Sequence, residues 1–368
     1  MEKSSTDLSS VATVGLDLAK HVFQVHCVDA TGRVVAAKAI RRSKLLEFFA
    51  SLPPCLVGLE ASGSVHHWAR ELIKLGHDAR MMPPAYVKPY VRRQKNDASD
   101  ASAICEAVAR PSMRFVGVRS LENQTSLMRH KAREMLVSQR TQLLNALRGH
   151  LAEIGVIAAQ GPRYARELAD RIEAGDEAIP LFVSEALAPL VMQMRNLDEA
   201  IAQLDRTIVR LARQDETARR LMSIPGFGPI TASAMAASVQ DASSFAGPRE
   251  FAAFLGLTPR QNSSGGKQKL GRISKMGNRN LRKLLVVGAH AVLFHRKPHT
   301  DPLRMWAKKL IEKSPSNLSP WRSPTRWRAS LSRSCAAKRS IGKFRRNERQ
   351  QGSPPRLIKR PRRHSSRG

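Results

Sequence analysis

The stretch KNDASDASAIC, residues 95–105, sets Asp97 and Asp100 three positions apart, directly after the basic run YVRRQK. Two further acids stand out for the opposite reason: Asp17 lies within the apolar run VATVGLDLA, and Glu60 ends the apolar run CLVGLEA. A carboxylate in such a run loses solvation unless a cation or hydrogen bonds compensate. Four such groups gathered in a basic chain point to divalent metal ions. Mg²⁺ suits them, because it takes hard oxygen ligands and keeps several waters. Two such ions about 4 Å apart can stabilise both the attacking and the leaving oxygen of a phosphodiester. Lys88, Arg92, Arg93 and Lys95 would then hold the phosphate backbone. Asp97 also has a plainer reading as a helix N-cap, with Asp100 in the first turn facing the positive end of the dipole.

The elements that must gather these acids alternate from Val11 to Ala109. VATVGLDLA, HVFQVHCVDA and GRVVAAKAI read as an antiparallel meander, rich in valine and joined by short junctions. An amphipathic SKLLEFFASL, a strand CLVGLEA, a helix VHHWARELIKLG closed by Gly76, a strand DARMMPP and the helix holding Asp97 follow. That order predicts an α/β domain with a mixed sheet over 11–112. Ligand sites of open α/β sheets gather at strand ends where connections diverge. Over 120–215, apolar residues at spacings of three and four predict two long helices broken at AAQGPRYARE. An antiparallel coiled-coil hairpin, a dimerisation stalk and a plain helical core all fit that pattern.

The bulk numbers agree with a nucleic-acid partner. Lys and Arg total 62 against 30 Asp and Glu, a net +32. After Lys313 come 16 basic residues and a single acid, Glu348, so the remainder of the chain still carries +17. Charge of this size selects polyanions as partners. No apolar run approaches the roughly 20 residues of a bilayer span, and MEKSSTDLSS lacks the apolar core of a signal peptide. A cytoplasmic, nucleoid-associated protein is therefore expected, with no membrane partner. The four cysteines Cys27, Cys55, Cys105 and Cys335 are too scattered for structural zinc and read as buried thiols.

A small, glycine-punctuated helical domain is expected over 218–313. In LMSIPGFGPITASAMAASV, the turn with Gly226 and Gly228 looks like a helix-hairpin-helix element, whose backbone amides can hold a phosphate without reading bases. Downstream, QNSSGGKQKLGRISKMGNRNLRK places Ser263 and Ser264 before two glycines. Around them lie Arg260, Lys267, Lys269, Arg272, Lys275, Arg279, Arg282 and Lys283. Composition alone makes this a flexible serine-glycine loop.

The strand order and acid placement resemble the RuvC-like branch of the ribonuclease H fold. On GLDLAKHVFQVHCVD, GLEASGSVHHWARELIKLGHDARMMPP, KNDASDASAICEA and the serine segment with its downstream GRISKMGNRNLR, the chain is identified as a member of the DEDD-type insertion-sequence transposases. These are bridge-RNA-guided serine recombinases similar to the pilin-gene invertases, and the resemblance runs from about Val11 to Lys313. It implies that Asp17, Glu60, Asp97 and Asp100 bind Mg²⁺ and that Ser264, with Ser263 as the fallback, is the nucleophile. It further implies a covalent DNA-phosphoserine intermediate, a structured guide RNA, DNA ends and target as partners, and a homodimer or homotetramer in which acids and serine meet across subunits. A RuvC-like junction resolvase or nuclease working through metal-activated water would need the acids without the serine. An architectural DNA-binding protein would need neither.

After WAKKLIEK the resemblance stops. The segment 314–368 is rich in serine and arginine, without helical periodicity. It reads as a disordered basic arm, or as the product of a single-base indel near codon 314 that replaced an alanine-rich amphipathic helix.

Overall fold

The computed structural model describes residues 7–91, 96–159, 161–239, 241–294 and Met305. Arg92, Arg93 and Lys95, and the tail from residue 314 with Cys335, lie outside them. The chain divides into two compact units, Met1–Gln124 and Thr125–Gly368.

In the first unit, β1 (Thr13–Asp17), β2 (Val22–Val28) and β3 (Val34–Arg41) form the expected meander. Helix α1 (Leu45–Ala50) leads to β4 (Leu56–Glu60), which lies parallel to β1, and α2 (Val65–Lys74) carries the chain over to β5 (Asp78–Met82). The sheet order is β3-β2-β1-β4-β5, with β4 and β5 also parallel. After the single turn α3 (Pro84–Val87) comes α4 (Asp97–Val108).

The period-two alternation of strands decides which face each residue takes. Val14, Leu16, Val57 and Leu59 are completely buried, in a core with Phe23, Phe49, Trp68 and Leu72. At about 2 kcal/mol for a fully buried aliphatic side chain, these positions hold β1 and β4 in register. Gly15, Asp17, Gly58 and Glu60 therefore face the other way, toward α4. A Cβ at Gly15 would stand 2.0 Å from the Ala101 carbonyl oxygen, and one at Gly58 2.8 Å from Val108 Cβ. The two glycines thus let the helix backbone lie almost directly on the strands. Helix α4 answers with small or compact residues, Ala101, Ile104, Cys105 and Val108, all buried.

The second unit starts within α5 (Leu121–Ala152), which runs antiparallel to α7 (Leu181–Gln214). Half-buried ion pairs set that direction: Arg133 with Asp205, and Arg140 with Asp198 at 2.6 Å, so that residue numbers rise on one helix as they fall on the other. The expected simple break at AAQGPRYARE needs correction. A third helix, α6 (Pro162–Glu173), begins inside it and buries Leu168, Ala169 and Ile172 against the hairpin. Arg166 reaches across to Asp198 at 3.0 Å.

Helices α8 (Glu216–Met222), α9 (Pro229–Ser238), α10 (Pro248–Phe254) and α11 (Arg279–Phe294) share a separate core built on Leu221, Phe227, Met235, Phe251 and Leu281. This region is not purely helical, as the sequence led us to expect. A two-stranded antiparallel sheet, β6 (Pro259–Gln261) and β7 (Leu270–Ile273), rises from it. Both strands are short and largely exposed, so no hydrophobic alternation marks them in the sequence. Cys27, Cys55 and Cys105 are buried free thiols, and burial pushes them up to about 12, 11 and 11 respectively. Among the described residues no helix is long and apolar enough to cross a membrane.

Candidate active site

Asp17 and Glu60 are the last residues of two adjacent parallel strands whose sequences, VGLD and VGLE, match position by position. Gly15 pairs with Gly58 and Leu16 with Leu59. The N-terminus of α4 points at the same sheet end. Its N-cap is Asn96, whose side-chain oxygen accepts from the Ala98 amide at 2.9 Å. This corrects the capping role considered for Asp97. With Asn96 satisfying that amide, Asp97 and Asp100 stand in the first helical turn and are free to face outward.

One carboxylate oxygen from each of Asp17, Asp97 and Asp100 lies within 4.8 Å of the other two. Glu60 does not enter that trio, but its charge still acts on Asp17. Burial pushes the Asp17 carboxyl up to about 6, and the negative charges of Asp100, Asp97 and Glu60 add to the effect, opposed by the Leu18 amide. Such a cluster is repulsive unless a cation sits in it. Hard oxygen donors at this spacing, with no ion-pair partner for the trio among the described residues, fit a divalent metal ion. The N-terminus of α4 contributes partial positive charge at the same sheet end.

The serines belong to the second unit, on the β6–β7 hairpin. Gly265 and Gly266 have φ of +55° and +75°, and the Lys267 amide donates to the Ser264 carbonyl at 3.1 Å. Positive φ at both central residues is the pattern of a type I′ turn, whose twist suits a two-residue hairpin and favours Gly-Gly. Ser264 is therefore the residue entering a tight turn, rather than part of a loose loop. Its neighbour differs in a way the sequence could not reveal: the Ser263 hydroxyl accepts the Lys269 amide at 3.0 Å, whereas Ser264 Oγ is exposed and makes no hydrogen bond among the described residues.

The hairpin's base is fixed. Ser274 and Lys275 amides donate to the Thr258 and Gly256 carbonyls at 2.8 and 3.0 Å, and a Cβ at Gly277 would stand 2.0 Å from the Phe254 oxygen. Arg260, Lys267, Lys269, Arg272, Lys275 and Arg279 are exposed, with no carboxylate partner among the described residues. Arg282 is different: its guanidinium donates to the Leu255 carbonyl at 3.0 Å and so helps hold α10 to α11. In the Pro-Gly-Phe-Gly turn, Gly226 has φ +86°, and a Cβ there would stand 2.8 Å from the Gly288 carbonyl oxygen on α11. Its side-chain-free state serves packing. Gly228 is exposed at the N-cap of α9 with open space around it, so its end of the turn is the accessible one.

Comparison with known proteins bears on both units. The family described as Transposase, of the DEDD IS110 type, matches residues 14–156, and the Transposase IS116/IS110/IS902 family matches residues 218–303. A "Probable family 20 transposase" of Pseudomonas aeruginosa is 47% identical over 311 residues, covering 84% of this chain and 92% of that protein. The "Transposase for insertion sequence element IS1111A" of Coxiella burnetii is 39% identical, over 86% of this chain and 87% of its own. A more distant likeness, 24% over 65% of this chain and 68% of the relative, is to the "Pilin gene-inverting protein" of Moraxella bovis.

Proposed function

Because this chain belongs to the IS116/IS110/IS902 family of insertion-sequence transposases, we propose that it cuts and rejoins the DNA of its element through a serine nucleophile and carboxylate-bound Mg²⁺, with a structured RNA choosing the site. The carrying observation is the carboxylate trio of Asp17, Asp97 and Asp100 at the end of paired strands, with Asp17 held far above its ordinary range. Asp17, Asp97 and Asp100 would hold the metal, and Glu60 would complete the set from the neighbouring strand. When bound, Mg²⁺ would neutralise charge on the scissile phosphate and favour the ionised form of an attacking oxygen.

The chain's own groups supply the rest. Ser264 Oγ attacks phosphorus, and the bond from phosphorus to the sugar oxygen breaks. The serine proton passes to a carboxylate, and the departing sugar oxygen takes a proton from solvent. Attack by a new sugar hydroxyl on the phosphoserine reverses these steps and reseals DNA, so no nucleotide cofactor is consumed. Exposed Arg260, Lys267, Lys269, Arg272, Lys275 and Arg279 would hold backbone phosphates beside the serine. Gly228 and the N-terminus of α9 would add a helix-hairpin-helix contact of the same, sequence-independent kind. In this reading the acids and Ser264 act on one phosphodiester within a dimer or tetramer.

The test is a strand-exchange reaction resolved on a denaturing gel. Ser264→Ala is expected to lose both exchange and the covalent protein–DNA adduct, and Asp17→Asn to lose both as well. A Ser264→Ala protein that still cuts DNA would replace this proposal with a metal-dependent nuclease that activates water. Sequencing RNA that copurifies with the protein tests the guide: recovery of random cellular fragments alone removes that part.

A further inference from the structure

A groove of about 700 Å³ opens at the same end of the sheet as the carboxylates and has no part in the chemistry above. It is lined by His21 and Val22 at the start of β2, Arg41 and Arg42 at the end of β3, Leu46 of α1 and Trp68 of α2. The backbone shapes it: Val22 pairs with Arg41, and the Arg42 amide donates to the His21 carbonyl at 2.9 Å. Asp17 pairs with Gln24, two residues further into β2 than Val22. By the rise of a strand, Val22 therefore lies only about 7 Å beyond the level of Asp17, one strand over.

The lining combines charge with exposed aliphatic surface. The Arg42 guanidinium sits over the Trp68 ring, 5.0 Å from its centroid, and 5.7 Å from that of Phe23, which itself meets Trp68 edge-on at 5.2 Å. The aromatic faces fix the guanidinium, so its planar fork is ordered before any ligand arrives. Arg41 and Arg42 are exposed, and neither has a carboxylate partner among the described residues. Val22 and Leu46 stand beside them 43% and 37% exposed. Paired cations next to exposed aliphatic surface complement a nucleotide, which offers a phosphate and an apolar base face together.

We propose that this groove binds an unpaired nucleotide of the DNA strand that enters the carboxylates, with phosphate on Arg41 and Arg42 and the base against Val22 and Leu46. The assignment of DNA rests on the proposed function, because the groove shares the sheet end where the scissile phosphate would lie. A splayed strand held there would fix which phosphate reaches Asp17.

Binding of a fluorescein-labelled single-stranded DNA oligonucleotide to the full chain, followed by anisotropy across a salt series, tests this without cutting. Arg41→Ala/Arg42→Ala is expected to weaken binding about tenfold and to lower the salt slope by about 0.7, as for one lost phosphate contact. Leu46→Asp, an exposed change that leaves both arginines, should weaken binding by a similar factor, and Arg42→Lys should fall between. Thermal unfolding guards against misfolding: a loss of affinity in Leu46→Asp with an unchanged Tm still supports the groove. Photocrosslinking of 5-iododeoxyuridine DNA is expected to label the peptides holding residues 41–46 or Trp68. Wild-type affinity and slope in both the double variant and Leu46→Asp, crosslinks confined to other peptides, or a loss seen with RNA but not DNA would each overturn the proposal. Since binding is read apart from cleavage, an Asp17→Asn or Ser264→Ala protein that keeps its chemistry would refute the catalytic reading and leave this result standing.

Discussion

Replacing Asp17 by Asn removes one of three crowded carboxylates while keeping its shape, and in metal-free protein the change is expected to stabilise the fold. The Asp17 carboxyl titrates at about 6 in the folded chain against an ordinary 3.8. The folded state thus binds this proton more tightly than the unfolded state does. Stability from this group is highest below about 4, falls as pH rises to about 6, and is level above that. At about 1.4 kcal/mol per pH unit, the whole difference is an upper bound of about 3 kcal/mol, and partial exposure screens it to about 1 kcal/mol. In EDTA at pH 7.5, Asp17→Asn should raise the Tm of the first unit by roughly 4 °C, and at pH 4 the two proteins should melt together. Saturating Mg²⁺ should reverse the order, since a ligand of the folded state stabilises the protein that binds it. Differential scanning calorimetry at both pH values reads this directly. A difference between the wild-type and Asp17→Asn proteins that is the same at pH 4 and pH 7.5 would refute the electrostatic account.

Other outcomes follow from the same structure. Gly15→Ala would force a Cβ to within 2.0 Å of the Ala101 oxygen. Helix α4 must then lift away, costing about 1–3 kcal/mol and carrying Asp97 and Asp100 off Asp17; calorimetric Mn²⁺ titration should show weaker binding, and unchanged affinity with unchanged Tm would contradict the close-packing argument. Ser263→Ala should lose the hydroxyl that accepts the Lys269 amide yet still form the covalent adduct, whereas Ser264→Ala should not; equal adduct yields on a denaturing gel would undo that distinction. His130, buried and 3.1 Å from Ser233 Oγ, is pushed down to about 4 by burial and nearby arginines. Its contribution is intact above the ordinary histidine value of 6.5 and is lost as pH falls toward 4, so His130→Gln should flatten part of the acid sensitivity measured by urea unfolding. His66, also pushed down to about 4, accounts for a further part. For the segment after Lys313, reading the coding DNA in the neighbouring frame near codon 314 should yield an alanine-rich amphipathic helix, and no such frame would end the indel explanation.

The parts of the fold that were legible are those where burial repeats with a clear period. Val14, Leu16, Val57 and Leu59 mark β1 and β4, and the acids that close each strand stand out because their neighbours are apolar. What could not be read depends on backbone geometry rather than on composition. The capping role falls on Asn96, one residue before the acids, and only its bond to Ala98 separates it from Asp97. The β6–β7 hairpin lacks a hydrophobic stripe, so the Gly265-Gly266 pair was its one signal, and such a pair equally fits a floppy loop. Helix α6 was hidden by the Gly161-Pro162 start that resembled a break, although Leu168, Ala169 and Ile172 carry the apolar spacing of a helix. Residues of the Arg42–Trp68 groove come from four separate elements, and no linear pattern joins them.

The matched VGLD and VGLE strands have one more implication. Their acids project to one side only because Gly15 faces Gly58 across the ladder. Were β4 to slide by a single residue, Glu60 would swing into the aliphatic interior while Leu59 emerged under α4. Such a misaligned chain would lose Glu60 from the acids' side of the sheet and its packed core together, so any folded molecule presents Glu60 on the same side as Asp17.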